Sequence, residues 1–276
     1  MRFFLPLLAA AACALTIGPS TSHASGAVTD GFRSRALAGR LSFDVYLPAG
    51  YAAHPHRRYP VVYFLHGLPA SATAYLGNDW VADALEQAGS AILVVPQGAR
   101  GDDSDPEYLN WGAGRNWETY VATEVPRWVD AHFRTIPTRE GRALVGLSAG
   151  GYGATILGLH HLQTFSVVES WSGYFHPTDP TGTKPLARGP RTSAHTLVDT
   201  LRTDERTRFT FLGFYVGRSD DRFRDENEQF DRELTAARVP HVFAVYPGGH
   251  RTSLWQTHAA AWLSMALGNL EPPKPA

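Results

Sequence analysis

Residues 61–65 (VVYFL) and 91–95 (AILVV) are unbroken apolar runs. A strand with one wet face alternates apolar and polar residues with period two. An uninterrupted run of this length therefore marks a strand buried on both faces, and both faces must be covered by something else. Further strand-like runs stand at 143–145, 166–170, 211–216 and 242–246. The stretches at about 73–88, 117–132, 149–161, 226–238 and 253–267 read as helices. Strand–helix alternation at this spacing predicts an α/β chain with a mostly parallel central sheet and helices on both faces. Right-handed crossovers bring every loop that follows a strand to one edge of that sheet. Residues 42–47 alternate instead and read as a half-buried edge strand stopped at Pro48.

The N-terminus reads as an export signal. Arg2 is followed by an apolar stretch over 3–17, and Ser22-His23-Ala24 offers the small-x-small pattern of a cleavage site. The expected organisation is a signal peptide over 1–24, one domain over 25–270 and a Pro-rich tail over 271–276, the tail disordered. The leader is too short for stable membrane insertion, so the product is expected to be secreted. Cys13, after Ala11-Ala12, is the only cysteine and keeps lipoprotein anchoring as a rival. Cleavage after Ala24 leaves no cysteine, which excludes disulfides, thiol nucleophiles and Cys-ligated metals together. A net charge of −1 leaves no electrostatic footprint for nucleic acid. Two long polar segments, 97–115 and 177–208, break the alternation. Loops of this length are uncommon inside a compact domain and read as functional insertions or solvated excursions.

Chemistry concentrates at Gly146-Leu147-Ser148-Ala149-Gly150, between a short buried strand and a helix. That context is a nucleophile elbow, the signature of the α/β-hydrolase fold. The turn lifts the Ser148 hydroxyl above the sheet edge. Gly146 and Gly150 are needed because side chains two residues either side would collide. A serine hydroxyl needs a base near neutral pH. His250 follows the last strand in a Pro247-Gly248-Gly249 turn, at the same sheet edge. The acid belongs between them in chain order, after the strand at 211–216. Asp220 and Asp221 both stand there, and Asp220 is favoured. Two N–H groups must face the developing oxyanion. Ala149 follows the nucleophile, and Leu68 lies in His66-Gly67-Leu68, directly after VVYFL. His66 reads as a brace for that turn.

Together, HGL after the early strand, GLSAGG, GRSD and GGH-x4-W resemble an esterase family of α/β hydrolases. It holds esterase D (S-formylglutathione hydrolase), feruloyl esterases, siderophore trilactone esterases and the secreted mycolyltransferases. The runs at 117–120 and 124–128 with Ser170-Trp171-Ser172-Gly173 look closest to the mycolyltransferase and secreted-esterase branch. The resemblance covers residues 40–267 and supports Asp220 as the acid and Leu68 as an oxyanion donor. It implies a serine carboxylesterase working through a Ser-Asp-His triad and an acyl-enzyme on a small-molecule, lipid or carbohydrate ester. Transferase members carry Asp-Gly and a nearby Arg on the early loop. This chain has Gly67-Leu68-Pro69-Ala70 there, which favours water as acceptor. An acyltransferase is the rival within enzymes, and a non-catalytic cell-surface binding module on the same fold is the rival outside them. No cofactor and no metal are expected. His54 and His56 lack a carboxylate partner at useful spacing, and the run Asp102, Asp103, Asp105, Glu107 lacks the glycine of a calcium loop.

Overall fold

The computed structural model describes residues 27–101, 107–177, 189 and 191–276. The leader with Cys13, Asp102, Asp103 and Asp105, and positions 178–188 and 190 of the second insertion lie outside the described residues. The strands are β1 (Val28–Ser34), β2 (Gly39–Tyr46), β3 (Arg57–Arg58), β4 (Val61–Leu65), β5 (Ile92–Pro96), β6 (Arg142–Leu147), β7 (Val167–Trp171), β8 (Phe211–Gly217), β9 (Val242–Tyr246) and β10 (Lys274–Pro275). The helices are α1 (Asp79–Ala88), α2 (Trp117–Thr119), α3 (Val125–His132), α4 (Ala149–His160), α5 (Val198–Thr203), α6 (Arg224–Ala237) and α7 (Thr252–Gly268). A π-helical turn over Tyr120–Glu124 joins α2 to α3.

Eight strands form one sheet in the order β1-β2-β5-β4-β6-β7-β8-β9. From β5 to β9 all pairings are parallel; β1 and β2 add an antiparallel edge. This is the α/β-hydrolase arrangement the alternation predicts. Every residue of β4 and β5 is buried. In β4, Val61, Tyr63 and Leu65 point into one core cluster with α3, α4 and α6. Val62 and Phe64 point into the other, with α1 and α7. Two burying faces explain the unbroken apolar runs, since each such side chain contributes about 1.5–3 kcal/mol when removed from water.

The chain runs from β4 outward to β5, then returns to the far side of β4 as β6 and continues to β9. Connections that leave neighbouring strands in opposite directions open a crevice at their carboxyl ends. That crevice lies between the ends of β4 and β6, where His66-Gly67-Leu68 and Ser148 begin.

Three expectations are corrected. Residues 42–47 do not form the edge strand: β2 lies inside the sheet, and the uncounted β1 shields it. Helix α1 starts at Asp79, not near 73. Residues 74–76 turn instead, held by the Asn78 amide donating to the carbonyls of Tyr75 at 2.9 Å and Leu76 at 3.2 Å. The tail is ordered. Glu271 N–H donates to Glu140 O at 2.8 Å, Ala276 N–H to His56 O at 2.7 Å, and β10 pairs with β3. No helix among the described residues is long and apolar enough to cross a membrane.

Candidate active site

Strand β6 ends at Leu147 and α4 starts at Ala149, so Ser148 must turn the chain alone. It does so at φ 53°, ψ −122°, a region costly for a residue with a Cβ. The flanking glycines make the turn possible. A Cβ on Gly146 would lie 2.1 Å from Gly150 O, and one on Gly150 would lie 2.0 Å from Leu65 O. The elbow is tied down where it leaves the sheet: Ser148 N–H donates to Trp171 O at 2.9 Å. As the first residue of α4, Ala149 has an N–H with no carbonyl to meet inside the helix.

The structure brings the three separated sequence candidates into one line. His250 Nε2 stands 2.9 Å from Ser148 Oγ, and its Nδ1 stands 2.8 Å from Asp220 Oδ2. Asp220 is 1% exposed. Its second oxygen accepts Phe223 N–H at 3.3 Å, and its carbonyl accepts Arg224 N–H at 3.0 Å. The carboxylate is thus fixed by the start of α6. Asp221, the adjacent candidate, is exposed. The loops carrying Asp220 and His250 clasp each other through backbone: Arg218 N–H donates to Tyr246 O at 2.7 Å and Ser219 N–H to Gly248 O at 2.8 Å. The approach is close enough that a Cβ on Gly217 would lie 2.6 Å from Gly248 O.

Facing the elbow is the loop after β4. A Cβ on Gly67 would lie 3.0 Å from the Ser148 Cβ, so Leu68 begins beside Ser148. Leu68 itself is partly buried against the core. His66 is 6% exposed and braces this loop as expected. Its Nε2 accepts Gly98 N–H at 3.1 Å, which leaves Nδ1–H to donate to Gly67 O at 3.0 Å. Burial pushes its pKa down, keeping the ring neutral. The hydroxyl of Tyr108 donates to His66 O at 2.8 Å.

Sequence reasoning missed part of the imidazole's surroundings. Phe223 packs against His250 with ring centres 5.1 Å apart, and Trp255 meets it edge-on at 5.1 Å. Trp255 was visible in GGH-x4-W. Phe223 carried no signal, because only the fold of the loop after β8 turns it inward. Of the other aromatics near the motifs, Trp117, Trp171 and Tyr174 are core residues. His54 and His56 are exposed, and Glu107 is buried and accepts the Tyr174 hydroxyl at 2.7 Å. Among the described residues, one cluster has metal-ligating spacing: His176, His195 and Glu226. A surface hollow lined by Leu201, Thr207, Ala237 and Val239 sits at the beginnings of β8 and β9, the sheet edge opposite Ser148.

A family model, Esterase ("Putative esterase"), matches residues 34–263. Esterase Rv1288 of Mycobacterium tuberculosis is 30% identical over 143 residues, 51% of this chain and 31% of that protein. The diacylglycerol acyltransferase/mycolyltransferase Ag85C of Mycobacterium leprae is 35% identical over 127 residues, 43% of this chain and 37% of that protein. The match therefore spans about a third of the length of these curated relatives. Among solved structures, a ferulic acid esterase superposes with a TM-score of 0.73 at 26% identity, covering 90% of this chain and 100% of that one.

Proposed function

The chain belongs to the Esterase family, and from that premise we propose that it is a serine carboxylesterase whose triad is Ser148, His250 and Asp220. The observation that carries this reading is the hydrogen-bonded line from Asp220 Oδ2 through His250 to Ser148 Oγ, at 2.8 and 2.9 Å, ending on a strained elbow. His250 Nε2 takes the hydroxyl proton as Ser148 Oγ attacks the ester carbonyl. Asp220 accepts from Nδ1–H, holding the ring in the tautomer whose Nε2 faces Ser148 and stabilising the imidazolium. The N–H groups of Leu68 and Ala149 receive the oxyanion, aided by the positive end of α4. His250 returns its proton to the leaving alcohol, and water then releases the acid from Ser148 by the same path in reverse.

The substrate class is a small-molecule, lipid or carbohydrate ester, and a panel of p-nitrophenyl esters of increasing chain length measures the acyl preference. No cofactor enters these steps. Residues 25–270 act as one catalytic domain. We also read residues 1–24 as an export leader cleaved after Ala24 and the protein as secreted; mass spectrometry of the extracellular fraction should find a chain starting near Ser25, and an intact Met1 or a lipid on Cys13 would refute this.

The deciding experiment is Ser148→Ala. It should abolish covalent labelling by a fluorophosphonate probe and lower turnover by several orders of magnitude, with unchanged thermal stability. Undiminished labelling of the folded variant would show that another residue is the nucleophile.

A further inference from the structure

One face of α6 gathers ionisable groups that the ester chemistry does not use. Glu226, Phe230 and Glu233 lie four and three residues apart, so they project from the same side of the helix. Two separate pieces of chain dock there. Phe175-His176 comes from the loop after β7, and His195 comes from the short 3-10 turn Ala194–Leu197. Phe175 stacks on Phe230 at 4.2 Å between ring centres, and His195 meets Phe230 edge-on at 5.5 Å. This aromatic packing delivers both imidazoles to one carboxylate.

The polar contacts are unusual in how they converge. His176 Nδ1 makes a short contact with Glu226 Oε1, and His195 Nε2 lies 3.2 Å from the same oxygen. Phe175 N–H also donates to that oxygen, at 3.1 Å. The other ring nitrogen of His195, Nδ1, lies 2.5 Å from Glu233 Oε2. The His176, His195 and Glu226 side chains are 14%, 9% and 13% exposed, sheltered yet reachable from solvent.

We propose that His176 Nδ1, His195 Nε2 and Glu226 Oε1 form a binding site for a divalent ion of the zinc type, with Glu233 orienting His195. Two imidazoles and one carboxylate suit zinc, which takes such ligands at about 2.0–2.2 Å and accepts water in a fourth position. Tetrahedral bonds of that length set ligand atoms about 3.4 Å apart. The three ligand atoms here all lie within 4.8 Å of one another, so small side-chain rotations bring them to the ion. The pairing of His195 Nδ1 with Glu233 is the arrangement that fixes a metal-binding tautomer: Nδ1–H donates to the carboxylate, and the Nε2 lone pair faces the ion. The ion's two positive charges balance the two carboxylates while both imidazoles are neutral. His176 and His195 stand on either side of 177–194 in the chain, so the ion pins both ends of that segment to α6. Helix α6 in turn begins on the loop that carries Asp220 and Phe223.

The test uses the purified chain, stripped with EDTA and dialysed, titrated with zinc sulfate in a calorimeter and melted with and without the ion. One zinc ion per chain and a higher melting temperature are expected. His195→Ala should abolish saturable binding. His176→Gln, a milder change at the rim that still donates to Glu226, should weaken it at least ~10-fold, and Glu233→Gln about 10–100-fold through the orientation of His195. His161→Gln, which alters the separate histidine pair on Glu118, should leave affinity unchanged. Absence of saturable zinc binding by the wild-type chain overturns the proposal, leaving a metal-free ion-pair network. So does zinc binding that survives both His176→Gln and His195→Ala in folded variants.

Discussion

Ser148 is held at φ 53°, and a strained residue of this kind costs roughly 1–3 kcal/mol. Such a conformation persists only where its surroundings over-determine it, here through Gly146, Gly150 and the bond from Ser148 N–H to Trp171 O. The same logic separates the two aspartates. Asp220 is 1% exposed and both carboxylate oxygens are engaged, one by His250 and one by Phe223 N–H. Asp221 is exposed. Asp220→Asn should therefore keep the fold and reduce kcat by ~10⁴-fold, because the amide supports the wrong imidazole tautomer. Asp221→Asn should cost about tenfold or less. Steady-state kinetics on both variants at matched thermal stability decides it, and a reversed ranking would move the acid one residue along. At this scale the three residues that line up at hydrogen-bond distance, Ser148, His250 and Asp220, are legible in the sequence, because each sits in a short motif directly after a strand. Asp220 and Asp221 were ordered only by their distance from Gly217. The turn that buries Asp220 and exposes Asp221 is a property of the folded loop. Phe223 and the cluster at His176, His195 and Glu226 could not be read at all, since their members are brought together from separate elements.

Helix α4 carries the elbow at its start and is anchored at its end. Its last residue, His160, and the adjacent His161 both reach Glu118 Oε1, at 3.1 and 2.9 Å. Glu118 lies in the first turn of α2, so the pair ties α2 to α4 roughly 17 Å along the helix from Ser148. Burial pushes the Glu118 carboxyl up, but hydrogen bonds and charge from the two histidines outweigh it and hold its pKa at about 2, against an ordinary 4.5. A depressed carboxylate pKa stabilises the fold above the ordinary value, and that contribution disappears as pH falls through the folded-state value. Up to about 3 kcal/mol should thus be lost between about pH 4.5 and pH 2. Glu118→Gln should be less stable than wild type at pH 7, with the gap closing toward pH 2, while kcat changes little. Urea unfolding of both proteins across that range measures it, and a gap independent of pH would refute it. Elements themselves were readable where burial was two-sided, as in β4 and β5. They were missed where the outcome depends on pairing. The strand β1 (VTDGFRS) has a polar sequence with only Gly31 and Ser34 buried, and it is a strand because β2 offers an edge. The tail is ordered because β3 offers another, not through any propensity of Pro-rich chain.

For the molecule as a whole, the reversal of strand order between β4 and β6 places two loops across one crevice: His66-Gly67-Leu68 on one side and Ser148 on the other. What enters that crevice second decides whether the acyl group goes to water or to an alcohol. Water is present at about 55 M, so an alcohol at ~10 mM starts about five-thousandfold behind. It wins only if the protein binds and aligns it, an advantage that can be large when positioning groups exist. Positioning a sugar hydroxyl calls for charged or hydrogen-bonding side chains beside the elbow. The loop after β4 offers Gly67, Leu68, Pro69 and Ala70, with Leu68 turned partly into the core. His66 is committed to Gly98 and Gly67, so it is not available to an acceptor. The partial match to a protein named as a mycolyltransferase makes the question concrete, and the early loop argues for hydrolysis. With an activated acyl ester and ~10 mM trehalose or glycerol, free acid should account for at least about 90% of product, and the acyl-sugar share should rise little with added acceptor. Chromatographic quantification of acid against acyl-sugar reads this directly. A dominant acyl-sugar product that saturates with acceptor concentration would reveal a bound acceptor site and make the chain a transferase.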